Sequence, residues 1–206
     1  MVKIYLEGGG DAASLKAECR QGFSKFFESA GFKGKMPRVV ACGSRNDAFD
    51  SFCTAISQGK FAFLLVDSED AVVATHQQGN SDQWKPWDHL KQRDNWNKPA
   101  NATDVHCHLM VQCMEAWFIA NHQNLADFFG QGFKQNKLPH AANSIESVSK
   151  QQLYTALANA TKNCQKGVYG KGSHSFKLLA MINPTNVTTA SPWAKRMLDT
   201  LKEQLK

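Results

Sequence analysis

Lys3-Ile4-Tyr5-Leu6-Glu7-Gly8-Gly9-Gly10-Asp11 decides how the chain is read: a short apolar run ends in an acid, three glycines and a second acid. Such a run, followed at once by turn residues, is a strand feeding a tight turn. Phe61-Ala62-Phe63-Leu64-Leu65-Val66-Asp67-Ser68-Glu69-Asp70 repeats the design. Its continuous apolar stretch marks a strand buried on both faces, and it stops at three acids. Two such strand ends side by side gather carboxylates at one edge of a sheet.

Working outward, residues 12–30 predict an amphipathic helix with Leu15, Cys19, Phe23, Phe26 and Phe27 on its inner side, ended by Gly31. Residues 38–42 read as a second buried strand, 43–46 as a turn and 47–57 as a helix with polar capping residues. Residues 104–112 read as a fourth strand, feeding a helix that runs from Met114 through Trp117 towards Phe129. Strands alternating with helices over short links predict an α/β fold, a parallel sheet flanked by helices. Between the third and fourth strands, residues 71–103 are polar but hold Trp84, Trp87 and Trp96, which suits a packed insert or a lid. The expected organisation is a core over residues 1–130, including this insert, and a basic helical extension over 131–206 packed on it. Helices are expected there at about 150–162, 175–181 and 192–205.

The chain has 206 residues, 42% of them apolar, enough for one ordinary core. No apolar run approaches the ~20 residues of a membrane span, and the first residues enter a strand directly, so a cytoplasmic protein without membrane contact is expected. Six cysteines (Cys19, Cys42, Cys53, Cys107, Cys113, Cys164) form no Cys-x-x-Cys pair and read as reduced, buried thiols. The formal charge of +6 is uneven. Residues 1–133 carry 13 Lys/Arg against 15 Asp/Glu, a net −2, whereas residues 134–206 carry 11 against 3, a net +8. A basic last third suits a polyanion, though a solvated lysine-rich surface has the same composition.

In an open parallel sheet the functional crevice lies beyond the carboxyl ends of the strands. That edge would receive Glu7 and Asp11, the turn with Arg45, the acids Asp67, Glu69 and Asp70, and Glu115 after the fourth strand. Oxygen ligands without a cysteine cluster favour Mg²⁺ or Mn²⁺. Such a site can activate water against a phosphodiester; the same acids could equally cap helices and close turns. The glycines lack a following Gly-Lys-Ser/Thr, which excludes a P-loop, and their spacing is not that of a dinucleotide fingerprint. His106 and His108 are expected on one face of a strand. Glu115 reads either as a buried acid of the crevice or as an exposed helix position. Lys162, Lys166, Lys171 and His174, with Tyr169 among glycines, suit phosphate contact and base stacking, or else a flexible exposed loop.

Glu7-Gly-x-x-Asp11 at the end of one strand, with Asp67-x-Glu69-Asp70 at the end of another, resembles the TOPRIM domain of topoisomerases, primases and overcoming-lysogenisation-defect nucleases. The whole chain resembles domain-of-unknown-function family 4276 through residues 41–47, 87–94, 108–117 and 171–176. The resemblance implies a TOPRIM-like, Rossmann-like sheet in which Glu7 is a general acid/base or metal ligand and Asp67 the first aspartate of an Asp-x-Asp pair. Position 69 is Glu and Asp70 follows, so either could fill the second aspartate's role. No tyrosine nucleophile is identifiable. The implied activity is a Mg²⁺- or Mn²⁺-dependent nuclease acting on DNA or RNA. Glu7, Asp11, Asp67 and Glu115 would serve catalysis; Glu7, Asp67, Glu69 and Asp70 would hold metal; Arg45, Lys162, Lys166, Lys171 and His174 would hold nucleic acid. An ABC-type ATPase encoded nearby is the implied partner, in an anti-phage setting, and self-association is compatible with it. A non-catalytic adaptor of such an ATPase is the rival.

Overall fold

Short apolar runs, buried at every position in two of the four strands, carry the chain into a four-stranded sheet. The computed structural model describes residues 2–140 and 144–206; residues 141–143, in the loop expected after Gly130, lie outside the description. Strands β1 (Lys3–Gly9), β2 (Arg38–Gly43), β3 (Ala62–Asp67) and β4 (Cys107–Met110) pair in the order β2-β1-β3-β4. All three pairings are parallel, with Leu6 beside Ala41 and Leu65, and Asp67 beside Met110. The protein is thus an α/β fold, as expected.

Ile4, Leu6, Phe63 and Leu65 face one layer, and Tyr5, Leu64 and Val66 face the other. The first layer contains α1 (Ala13–Phe27), whose Phe26 stacks on Trp117 with ring centroids 5.1 Å apart. It also contains α4 (His122–Phe129), α5 (Lys150–Thr161), α6 (Lys171–Leu179) and α7 (Pro184–Ala190). The second layer contains α2 (Arg45–Ser57) and α3 (Pro86–Asp94). Helix α8 (Pro192–Gln204) packs along β4 and serves both layers, Trp193 on one side and Leu198 and Leu201 on the other. A sheet covered on both faces is the arrangement a fully buried β3 requires.

Several elements differ from the sequence expectation. Residues Met114–Ala120 form a 3₁₀ segment rather than the start of a long amphipathic helix, because Met114 to Ile119 are all buried and no polar face is left for solvent. His106 lies in a 3₁₀ turn before β4 and His108 within it; the two imidazoles lie on one side, against Phe61 and Phe63, as expected, but each has its own partner: His106 accepts the Thr103 amide and His108 meets Arg196. Helix α7, absent from the expectation, starts at Pro184 behind an Asn183 cap. The segment 71–103 is a packed wall. Trp87 is buried against Phe49 and Phe52, Trp96 stacks on Phe49 at 4.3 Å, and Trp84 lies against Trp193. Among the described residues all six cysteines are free thiols, and no helix is long and apolar enough to cross a membrane.

Candidate functional site

In a sheet ordered β2-β1-β3-β4, the chain moves one way from β1 to β2 and then crosses back over β1 to β3. The crevice of such a topology opens between the carboxyl ends of β1 and β3, where the flanking connections part. Glu7 stands at the end of β1 and Asp67 ends β3. Glu7, Gly8 and Gly9 all register against Gly43 of β2, a local irregularity that turns the strand end towards the crevice. The glycines are required by contact as well as by conformation. A Cβ on Gly9, at φ 85°, would lie 2.6 Å from the Lys16 Cα, and one on Gly43 would lie 2.6 Å from the Gly10 carbonyl.

Glu69 follows in a left-handed conformation at φ 66°, uncommon for a residue with a side chain, and its amide donates to the Gln112 carbonyl at 2.8 Å. That geometry brings Glu69 back over the sheet edge. One carboxylate oxygen each from Glu7, Asp67 and Glu69 lies within 4.8 Å of the others. Asp67 is fixed on its inner side, its Oδ1 accepting the Met114 amide at 2.8 Å. Glu115, wholly buried, lies one layer deeper: its Oε1 accepts the Tyr169 hydroxyl at 3.2 Å, while its Oε2 has no hydrogen-bond partner.

Cations surround these acids. Lys150, at the start of α5, donates to Glu69 Oε2 at 2.6 Å and lies 3.7 Å from Asp67 Oδ2. Lys171, the first residue of α6, lies 3.8 Å from Asp67 Oδ2 and 3.9 Å from Glu115 Oε1. Arg45 follows Ser44, which caps α2 through a capping box with Asp47. Its guanidinium donates to Glu7 at 3.0 Å, to both Asp94 oxygens at 2.8 and 3.2 Å and to the Asp67 carbonyl, and it lies 4.9 Å from the Trp96 ring centre. Arg93 pairs with Asp94, Glu69 and Asp70.

Burial, followed by the Glu7 carboxylate, pushes the Asp67 carboxyl up to about 8. Burial would also raise Glu69, but the hydrogen bond and charge of Lys150 outweigh it and hold that acid below its ordinary value. Burial works against the Lys171 ammonium, and Glu115 and Asp67 more than restore it, holding it above the ordinary lysine range. At neutral pH Asp67 therefore keeps a proton unless more positive charge arrives. Three clustered oxygens, one of them on a carboxyl raised by burial and a neighbouring carboxylate, fit a hard divalent cation such as Mg²⁺ or Mn²⁺. Nothing in the donor set suits a softer metal.

The sequence-derived candidates separate here. Glu7, Asp67 and Glu69 come together, with Glu115 and Lys171 adjoining them. Asp70 points outward, its side chain 77% exposed, so the geometry selects Glu69 for the cluster. Asp11 is exposed beyond the glycines and makes no side-chain hydrogen bond or ion pair among the described residues. Arg45 is committed to protein oxygens rather than held free for a phosphate. Lys162 and Lys166 are exposed, the latter 5.3 Å from the Phe128 ring centre. His174 accepts the Gly170 amide through Nδ1 and packs on Phe129, which makes it a brace of the loop before α6. Lys150, Arg93 and Asp94 were not singled out as site residues from sequence; the only signal was the Arg93-Asp94 pair inside a motif of the family resemblance.

No curated protein and no solved structure matches the chain. A family model described as a domain of unknown function, DUF4276, matches residues 6–202, a span that takes in every residue of the cluster and the lysines around it. The chain belongs to the DUF4276 family.

Proposed function

We propose that the chain is a divalent-metal-dependent phosphodiesterase that cuts DNA or RNA at the β1/β3 edge, with a TOPRIM-like arrangement of acids. The observation that carries this reading is the convergence of Glu7, Asp67 and Glu69 within 4.8 Å, with Lys150 and Lys171 beside them. A cation held there would polarise a phosphoryl oxygen and lower the pKa of a bound water. The protein's own contribution is placement. Asp67 is held in one orientation by the Met114 amide, Arg45 steadies Glu7, and Glu115 keeps Lys171 charged and aimed at the cluster. Acids and ammoniums in one crevice match a substrate that brings both a cation and phosphate oxygens. The exposed lysines of the last third, Lys162 and Lys166 among them, would track the polyanion.

By the family resemblance, an ABC-type ATPase is the proposed partner, and cutting is restrained until the assembly is triggered in an anti-phage response. The rival reading, a non-catalytic adaptor, is favoured by one observation: Lys150 and Arg45 already neutralise Glu69 and Glu7 without any ion. A nuclease assay with labelled DNA and RNA separates the two. The chain with its genomically adjacent ATPase should cut in Mg²⁺ or Mn²⁺, and Glu7→Gln and Asp67→Asn should abolish cutting while leaving assembly intact. Cutting that survives both substitutions transfers the activity elsewhere and favours the adaptor.

A further inference from the structure

At the opposite edge of the sheet, the loop between α1 and β2 and the last turn of α8 border an open depression of about 440 Å³. Its lining contains Lys33, Lys35, Lys202 and Lys206 with Phe32 and Leu205, and no acidic side chain. All four lysines are exposed, and none pairs with an aspartate or glutamate among the described residues. Lys35 ties the two elements together by donating to the Lys206 main-chain oxygen at 3.2 Å. On the loop side, Glu28 pairs with Lys25 at 2.9 Å and also feels the charge of Lys33.

Lysines near helix ends often do no more than answer the helix dipole. Each dipole presents roughly half a negative charge at its C-terminus, and Lys35 is engaged by the Lys206 main-chain oxygen, so about two of the four positive charges are answered. The remainder is unspent and repels itself across the depression, an arrangement that an anion would relieve. The volume falls in the range of small-molecule sites, roughly 300–1,000 Å³. Phe32 lines the floor but is only 4% exposed, too little ring face for a base to stack on. Flexible ammoniums without guanidinium forks recognise phosphate as charge rather than by bidentate geometry.

We infer that this lysine-lined depression binds a compact oligophosphate anion, at a site distinct from the acidic edge. The site lies beyond the amino ends of the strands, a full strand length from Glu7 and Asp67. It is independent of the nuclease reading.

The test uses the full chain in chelator, with inorganic tripolyphosphate as the probe in titration calorimetry. Saturable one-to-one binding is expected, unchanged in Asp67→Asn and in Lys162→Gln/Lys166→Gln. Lys33→Gln/Lys202→Gln should weaken it roughly tenfold or more, since each lysine lost removes a charged contact. Thermal melting of each variant verifies folding, which exposed Lys→Gln changes leave intact. Absence of saturable binding, or equal weakening by the Lys162/Lys166 pair, overturns the inference. So does an oligonucleotide that needs Lys33 and Lys202 while tripolyphosphate does not bind, because the depression would then be part of a nucleic-acid track.

Discussion

Asp67 has almost no exposure, accepts one backbone amide and faces two ammoniums and three other carboxylates, Glu7, Glu69 and Glu115. Its acidity is therefore the most sensitive reporter of the site. An ordinary aspartate ionises near 3.8, and this one is pushed to about 8 in the fold, first by burial and then by Glu7. Between those values the unfolded chain has lost a proton that the native chain retains. Stability must then fall as pH rises through that window when no cation is present. Asp67→Asn, which cannot ionise, should melt several degrees above the wild type at pH 8.5 in chelator, and the gap should close below pH 4. About 1 kcal/mol moves the melting temperature of a domain this size by roughly 2–4 °C, so the effect is within reach of a scanning fluorimeter. Parallel melting curves across the whole range would mean that Asp67 is already compensated and has no need of a cation.

At the scale of the element, the turn after β1 determines whether the carboxylates meet. Gly9→Ala puts a methyl group 2.6 Å from the Lys16 backbone and imposes a side chain on a φ of 85°. Helix α1 would have to move, at a cost of about 1–3 kcal/mol. The expected result is a lower urea midpoint together with weaker Mn²⁺ binding, because Glu7 shifts with the turn; loss of stability at unchanged metal affinity would show the turn and the cluster to be uncoupled. This turn was legible in sequence because an apolar run, an acid and glycines are a local pattern. Lys150 was not, because it meets Glu69 from 81 positions away and its own neighbours say only that a helix begins. Asp94 and Arg45 are 49 positions apart for the same reason. Around Trp84, Trp87 and Trp96 the need for packing was legible, but not the partners Phe49, Phe52 and Trp193. Met114–Ala120 misled because a run of apolar residues carries no period that distinguishes a buried 3₁₀ segment from a helix.

Across the whole molecule, the basic last third is no appendage on an acidic core. Leu153, Leu157, Phe176 and Leu198 belong to the same buried cluster as Ile4, Leu6 and Phe63. Lys150 and Lys171 reach the acids because α5 and α6 are anchored in that cluster. Leu157→Ala, at a position with no exposure, should cost about 2–5 kcal/mol. It should do so in a single transition, with tryptophan fluorescence and far-ultraviolet dichroism superimposed. Two separated transitions would assign residues 131–206 to an independent unit. The charge asymmetry then has a structural meaning: the basic segment delivers two ammoniums to an acidic strand edge and leaves the rest of its charge on the surface.

The central claim is that Glu7, Asp67 and Glu69 hold a hard divalent cation. Crystals of the full chain grown with Mn²⁺ test it directly through the anomalous signal. One peak is expected within coordination distance, about 2.0–2.3 Å, of an oxygen from each of the three carboxylates, with Lys150 turned away from Glu69. Crystals that diffract well, hold Mn²⁺ in the solvent and show Lys150 still bonded to Glu69 with no peak at the β1/β3 edge would contradict it.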